Sequence, residues 1–358
     1  LLAPLTNNTR RMDALGVVKA VDVLVAAKKP YDASVMLTRF RRDDHCSESV
    51  NQRLTTLIET QFAEQPPQKD DPDLPNRGRK VLVFSDGRQK AARLAPALET
   101  SHTQDTFRQV LALAVRELEQ IGQPGRIASL YAAVLAVCQR RGIDLFPGAD
   151  QREFQADVRL ASARKLGQLL EMAQQNQLQP PLPFARALYD ELTDRSFSLP
   201  AIGMGVINED PLFKYVFDDF PQVGLADAEV RTLFRGWLRL QLERRCFLPP
   251  GATPGRLGDG FERPEGIRPG KPGDLLPGRF REYLLRILGD EAAVGRVVAW
   301  LEAFLEKGTM SFTNDQYYLQ PRGLVLQLHH QKPWLRCSSC NRLHPEGIRG
   351  LCYECLGT

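Results

Sequence analysis

Residues 80–95 read KVLVFSDGRQKAARLA, which is the pattern of one β-strand followed by a helix. The continuous apolar run at 81–84 is typical of a strand that is buried on both faces of a sheet. The polar turn after it can cap a helix that has Arg88 and Gln89 in its first turn. Because a first helical turn offers free backbone N–H groups and the positive end of the dipole, this turn is a suitable place for a phosphate.

Composition indicates a soluble chain with a packed core. The 358 residues are enough for two or three domains, and 43% of them are hydrophobic while 25% are charged. The formal net charge of +4 is small, so any nucleic-acid site must come from local patches. No apolar run approaches the length of a membrane span, so we expect no membrane contact. Four clustered and three scattered cysteines suit a reducing compartment, so we expect a cytoplasmic protein. The absence of an initiator Met suggests a piece of a longer protein.

Four of the seven cysteines form two CxxC pairs separated by eleven residues. The pairs consist of Cys337, Cys340, Cys352 and Cys355. This spacing predicts a zinc ribbon in which all four ligands are thiolates, so the zinc is structural and has no open position for a catalytic water. A disulfide pair or iron are the alternatives, and His344, between the pairs, could replace a thiolate.

Apolar periodicity predicts a mainly helical chain in seven segments. These are a helical N-terminal segment at 1–63, a linker at 64–79, the βα unit at 80–121, a helical insertion at 122–248, a Gly/Pro-rich loop at 249–278, a winged-helix-like segment at 279–330 and the zinc ribbon at 331–358. Individual helices are predicted at 91–98, 106–121, 127–140, 151–176, 184–193, 227–247, 279–288 and 291–307. Residues 199–223 are less regular, and we expect their aromatic rings in the core.

Two short strands are predicted near the C-terminus, at 316–319 and 324–328. A turn at 320–323 would join them as a β-hairpin. Two helices followed by a hairpin is the element order of a winged helix, and Arg322 would then lie at the tip of the wing.

Several arginines are candidates for nucleic-acid contacts. Arg231, Arg235 and Arg239 lie at successive i,i+4 steps of one predicted helix and share one face. Such a stripe can follow a phosphate backbone, or it can be a solvated or ion-paired face. The same two interpretations, contact with nucleic acid or with a neighbouring domain, apply to the residues around the ribbon, which are Trp334, Arg336, Arg342 and Arg349.

Residues 81–92, VLVFSDGRQKAA, resemble the start of the second RecA-like domain in a group of large superfamily 2 DNA helicases. That group includes the MrfA-type repair helicases and the helicases of the DISARM and Druantia antiphage systems. Its pattern is a hydrophobic strand, Ser-Asp-Ser-Arg-Gln and an Ala-rich helix, and Gly87 replaces the second Ser here. Several members also carry a long helical insertion and a four-cysteine zinc module, to which residues 317–355 are similar.

The resemblance implies a mainly α fold with a partial α/β, RecA-like unit, whose sheet is completed by residues that this chain lacks. In the family the Ser-Asp-x-Arg-Gln turn contacts the phosphate backbone of the tracked strand. This implies phosphate contacts for Ser85, Arg88 and Gln89. Without the resemblance, the residues favour a simpler reading, in which Ser85 and Asp86 cap the helix and Arg88 makes a structural salt bridge.

The resemblance also implies an ATP-dependent helicase or translocase in antiphage defence, with DNA, the remaining helicase domains and other defence subunits as partners. The sequence has no G-x-x-x-x-G-K-[ST] loop, no Asp-Glu-x-His or Asp-Glu-x-Asp segment and no late paired-arginine motif. We therefore expect no ATP hydrolysis by this chain alone, and ATP with Mg²⁺ only in the intact protein. The alternatives are a non-enzymatic zinc-ribbon and winged-helix adaptor for DNA or protein, and a zinc-stabilised scaffold that binds no nucleic acid.

Overall fold

A computed structural model describes nine ranges of the chain. They are 88–146, 150–195, 198–211, 217–252, 264–306, 310–328, 335–340, 342–344 and 347–357. Two compact units, 1–106 and 107–358, divide the chain. The strand predicted at 81–84, Ser85, the N-terminal segment and the linker lie outside the described residues.

About half of the described residues are helical. The helices are α1 (Arg88–Gln120), α2 (Leu130–Arg141), α3 (Asp150–Ser162), α4 (Leu166–Gln174), α5 (Leu182–Thr193), α6 (Asp227–Glu243), α7 (Pro272–Leu275), α8 (Phe280–Leu288) and α9 (Glu291–Leu305). The strands are β1 (Gly205–Glu209), β2 (Met310–Thr313), β3 (Gln316–Leu319), β4 (Leu324–Leu328), β5 (Leu335–Arg336) and β6 (Leu343–His344). Short 3₁₀ turns lie at Ile127–Ser129 and Pro321–Gly323.

Three of the predicted helices differ from the structure. The helices predicted at 91–98 and 106–121 are one continuous helix, α1, because the polar residues between them also adopt the helical conformation. The long helix predicted at 151–176 is instead two helices, α3 and α4. Lys165 is extended at the start of α4, where its backbone N–H donates to the side chain of Gln168.

Strands β3 and β4 lie at their predicted positions, but the hairpin predicted between them is wrong. β3 pairs antiparallel with β2, and β4 pairs antiparallel with β1, so that Leu326 faces Ile207. The 3₁₀ turn at Pro321–Gly323 therefore passes from one small sheet to another. Arg322 lies in this connection and not at a wing tip.

The hairpin that follows α8 and α9 is formed one strand earlier, by β2 and β3. Asn314 and Asp315 form its two-residue turn, with φ of 52° and 59°. Two successive left-handed residues are typical of a type I′ turn, which matches the twist of a hairpin. The helix–helix–hairpin order is thus present, with Asn314 and Asp315 at its tip.

β1 lies in the segment that the sequence marks as irregular. Its five residues pair with β4 from Gly205 opposite Leu328 to Glu209 opposite Leu324. Nearby, the two aromatic rings of that segment that the structure describes, Phe217 and Phe220, pack against Trp300 of α9.

One hydrophobic core joins segments that the sequence assigns to different domains. Helices α1, α2, α5, α6, α8 and α9 and strands β3 and β4 all contribute buried side chains to it. Trp237 of α6 lies at its centre, where it contacts Phe234 and Phe304. Ile348 and Tyr353 extend the same core into the C-terminal cysteine region. The insertion and the cysteine region are therefore packed as one unit.

In the described part of the chain, no helix combines the length and apolarity needed to cross a membrane.

Candidate metal centre and nucleic-acid interface

The four paired cysteines come together at the C-terminus, where their Sγ atoms all lie within 4.8 Å of one another. Cys337 Sγ is 3.4 Å from Cys355 Sγ, and Cys340 Sγ is 3.7 Å from Cys352 Sγ. Tetrahedral coordination with Zn–S bonds of ~2.3 Å puts neighbouring sulfurs about 3.8 Å apart. The cluster therefore has the size that a zinc ion requires, and the four cysteines could bind one.

Local backbone structure brings the two pairs together. The first pair follows β5, and the Cys337 N–H donates to Arg342 O at 2.9 Å, which closes the turn before β6. The second pair follows a turn whose residues Arg349 and Gly350 have φ of 51° and 72°. The Gly357 N–H then donates to the Sγ atom of Cys355 at 3.3 Å. Each pair is thus held by a turn that aims its sulfurs inwards.

The thiols differ in acidity. Burial opposes ionisation of Cys337, but backbone N–H groups of Cys340 and Ser339 outweigh it and lower the pKa of this thiol to about 7. Burial raises the pKa of the Cys340 and Cys352 thiols. A metal ion would have to displace the protons from these two thiols, so metal binding would release protons.

His344 is a fifth potential donor beside the cluster. It is buried at the end of β6, its Nε2 atom is 3.2 Å from Cys352 Sγ, and its ring stands edge-on to Tyr353 at 4.5 Å. Burial, followed by the charges of Arg239 and Arg342, lowers the pKa of His344 to about 4, so the ring is neutral. Since four sulfurs already converge, His344 is placed as a hydrogen-bond partner of one sulfur.

Arginines fasten the cysteine region to the helices. Arg342 pairs with Glu243 of α6 and with Glu354, both at 2.6 Å. Arg349 donates to Ile287 O of α8 at 2.7 Å. For these two residues the contact is with the protein, while Arg336 is exposed and Trp334 lies outside the described residues.

Two further arginines donate to backbone carbonyls of this region. Arg279 and Arg286 contact Cys355 O and Leu356 O, each at 3.2 Å. Four thiolates with Zn²⁺ would carry a net charge of −2, which nearby guanidinium groups offset.

The predicted arginine stripe on α6 is largely engaged within the protein. Arg231 pairs with Glu209 at 2.7 Å, and its guanidinium lies 4.7 Å above the Phe217 ring. Arg239 is only 9% exposed and donates to Glu243 at 3.1 Å and to the backbone O of Leu343. This geometry favours the ion-paired alternative for both residues. Arg235 lines a small cavity between α6, β1 and the cysteine region.

The predicted phosphate-binding turn lies at the edge of the described chain. Arg88 and Gln89 are the first residues of α1 as the structure describes it, but nothing is described of their side chains. Ser85 lies outside the described residues.

Arg322 lies at a cleft that the sequence did not indicate. The cleft has a volume of about 520 Å³ and is lined by residues from α4, the end of β1, the 3₁₀ turn of Arg322 and the segment after α6. Arg322 is exposed there, and the described part of the chain gives it no ion pair. Its lining residues are scattered along the chain from Arg126 to Arg322, so no local pattern could have revealed it.

Comparison with known proteins finds a relative in an antiphage defence system. The chain is similar to the Druantia protein DruE of Escherichia coli (strain UMEA 4076-1), with 30% identity over 312 residues. The similarity covers 84% of this chain but only 16% of that protein. No protein-family model and no solved structure matches the chain.

Proposed function

We propose that this chain acts in antiphage defence as the counterpart of one segment of a DruE-like protein. The observation that carries the proposal is the similarity to the Druantia protein DruE, which extends over 84% of the chain. Since this covers only 16% of DruE, the chain would supply one part of a much larger machine. The other parts of that machine and further defence subunits would be its partners.

Within the larger protein, we assign this segment to an ATP-dependent superfamily 2 DNA helicase or translocase. Residues 81–92 carry the sequence pattern of a hydrophobic strand, an SDGRQ turn and an Ala-rich helix, and α1 runs from Arg88 to Gln120. The segment would present phosphate contacts at Ser85, Arg88 and Gln89. ATP hydrolysis would take place elsewhere in the protein, since this sequence lacks the nucleotide-binding motifs.

The cysteine cluster would hold one structural zinc ion. Its sulfur distances fit tetrahedral coordination, and all four donors are thiols. Because Arg342 and Arg349 fasten the cluster to α6 and α8, zinc binding would also stabilise the surface formed by these helices.

The alternative function is a non-enzymatic adaptor that binds DNA or protein. The observation that favours it is the compact unit 107–358, in which helices α8 and α9, the β2–β3 hairpin and the cysteine region share one core. An adaptor would need the zinc and the hairpin but no motor.

Phage plating and ATP hydrolysis together test these alternatives. The intact protein, expressed with its system, is compared with its R88A and C340S/C352S variants and with R296A, which removes an exposed arginine of α9. We expect ATP hydrolysis that DNA stimulates, and in R88A a higher DNA concentration for half-maximal hydrolysis. Protection against phage should be lost in C340S/C352S but not in R296A. Protection without any DNA-stimulated hydrolysis would reject the motor and favour the adaptor. Full protection in the absence of this segment would reject both.

A further inference from the structure

The cleft beside Arg322 is built from distant parts of the chain that are tied together by the backbone. Asp210, just after β1, donates its N–H to Gly323 O at 2.9 Å, which fixes the turn of Arg322 against the end of β1. Gly251, with φ of +77°, lies so close to Pro180 O that an added Cβ would be 3.1 Å away. The walls thus meet in close contact, and the volume of about 520 Å³ lies within the range of roughly 300–1,000 Å³ that is usual for ligand sites.

The cleft has a positive electrostatic character. Among the described residues that line it, the acidic one is Asp210, whose carboxylate is fully buried and pairs with Arg126 Nε at 2.5 Å. That pair is neutral, and among the described residues no carboxylate pairs with Arg322, which is exposed at the rim. An anionic group is therefore attracted to this edge of the cleft.

The remaining lining combines amides with apolar surface. Side-chain amides come from Gln174, Asn176, Gln179 and Gln320. Leu178 and Leu248 are buried beneath them and, with Pro249 and Pro250, supply apolar surface. An amide both donates and accepts, which is the combination that matches the edge of a nucleobase. Apolar surface of this kind can pack against the face of a base.

We propose that this cleft binds one unpaired nucleotide of a DNA strand. Arg322 would contact its phosphate, the amides of Gln174 and Gln179 would contact the edge of its base, and the apolar surface would receive the face of the base. The proposal rests on the DNA-binding function proposed above and specifies it further: the strand at this site is single, because only an unpaired base leaves its Watson–Crick edge and its face free to enter a cleft.

Binding of fluorescein-labelled oligothymidylate to the full chain tests the cleft. A second oligonucleotide has the same backbone but abasic sugars, and anisotropy gives both affinities over a range of salt concentrations. We expect R322A to weaken binding of both oligonucleotides. It should also reduce the slope of log affinity against log salt concentration by about 0.7, which corresponds to one phosphate contact on a single strand. We expect Q174A/Q179A to weaken binding of oligothymidylate about fivefold, with the abasic strand unaffected.

Matched controls lie on the same compact unit but outside the cleft. R296A removes one exposed arginine of α9, and Q109A removes one exposed amide of α1. Both should bind as the wild type does. An R322A variant that binds like R296A, or a Q174A/Q179A variant with unchanged affinity, would overturn the proposed nucleotide site in the cleft. DNA binding elsewhere on the chain would be unaffected by that result. If the wild-type chain binds neither oligonucleotide, both the proposed nucleotide site and the proposed DNA contacts of this segment are rejected. The ATP hydrolysis of the intact protein tests the motor separately.

Discussion

The Nε2 atom of His344 lies 3.2 Å from the Sγ atom of Cys352, while its Nδ1 atom is buried and has no hydrogen-bond partner in the described part of the chain. A neutral imidazole that is protonated at Nε2 explains both observations, because it donates to the sulfur and leaves Nδ1 without a proton. Partners of this kind orient metal ligands and withdraw charge from them.

Replacing His344 by Phe should therefore weaken zinc binding, while Gln should preserve more of it because its amide can still donate. We expect zinc to be released about 10–100-fold more readily from H344F than from the wild type, with H344Q in between. Competition with a chromogenic chelator measures the affinity, and the absorption of the Co²⁺-substituted protein reports the sulfur environment. Equal affinities in H344F and H344Q would show that the ring acts by packing alone.

Zinc removal should affect more than the cysteine region. Elemental analysis is expected to give one zinc per chain, and chelation should expose residues 335–357 to protease and to hydrogen exchange. Because Arg342 and Arg349 tie this region to α6 and α8, those helices should also lose protection. C340S should behave like the chelated protein, whereas C138S, which removes a buried thiol of α2, should retain zinc. A metal-free protein with unchanged protection would contradict a structural zinc.

Local signals in the sequence were sufficient for the cysteine cluster and for most described helices, but not for the continuity of α1 or the break between α3 and α4. A CxxC pair sets its own geometry within four residues, so the spacing alone predicted that the four thiols converge. The sequence of 324–328 also predicts a strand, as observed. Its partner β1, however, lies more than 100 residues earlier and contains a glycine, so no local signal links the two. Proximity along the chain predicts β3 as its partner, and the pairing of β4 with β1 shows that prediction to be wrong.

The role of an arginine was not predictable in the same way. Arg239 and Arg322 look alike in the sequence, yet one is buried against Glu243 and the other is exposed at a cleft. Helical spacing shows that residues share a face, but the element that covers this face is set by tertiary packing.

R239A should destabilise the protein rather than weaken DNA binding alone. The substitution leaves Leu343 O and part of the Glu243 carboxylate without their buried donor, and breaking such a pair costs about 3 kcal/mol. R296A, which is exposed, should change the free energy of unfolding by no more than about 0.5 kcal/mol. Urea unfolding measures both. An R239A protein of normal stability but reduced DNA affinity would restore the interpretation of the α6 stripe as a DNA contact.

G125A should be strongly destabilising, because an added Cβ at Gly125 would lie only 2.4 Å from Leu326 O. The Leu326 N–H donates to Gly125 O at 2.8 Å, so this close approach joins β4 to the segment before α2. Relief of the clash would require the backbone to move, and we expect a loss of about 2 kcal/mol or more. G167A is the control, since Gly167 in α4 has open space around its Cα and Ala there should be neutral or stabilising by up to about 1 kcal/mol. Equal melting temperatures for the two variants would argue against the β4 register.

Asp274 should make part of the stability dependent on pH. Its carboxylate accepts two hydrogen bonds from the Arg268 side chain, at 2.5 and 3.0 Å, and one from Arg244 at 3.3 Å. The bonds from Arg268 lower the pKa of Asp274, and burial opposes this only in part. Since the folded pKa is below the unfolded value of about 3.9, this stabilisation is complete well above pH 4 and is lost as the pH falls through the folded pKa.

D274N should accordingly lose about 1–3 kcal/mol of stability at pH 7, and progressively less as the pH falls below 4 towards the folded pKa of the wild-type carboxylate. Urea unfolding of both proteins from pH 7 to pH 2 measures the difference, which should shrink as the pH falls. D218N, at an exposed aspartate before α6, should follow the wild-type curve throughout. A constant difference between D274N and the wild type over this range would mean that the side chain acts through its shape and not through its charge.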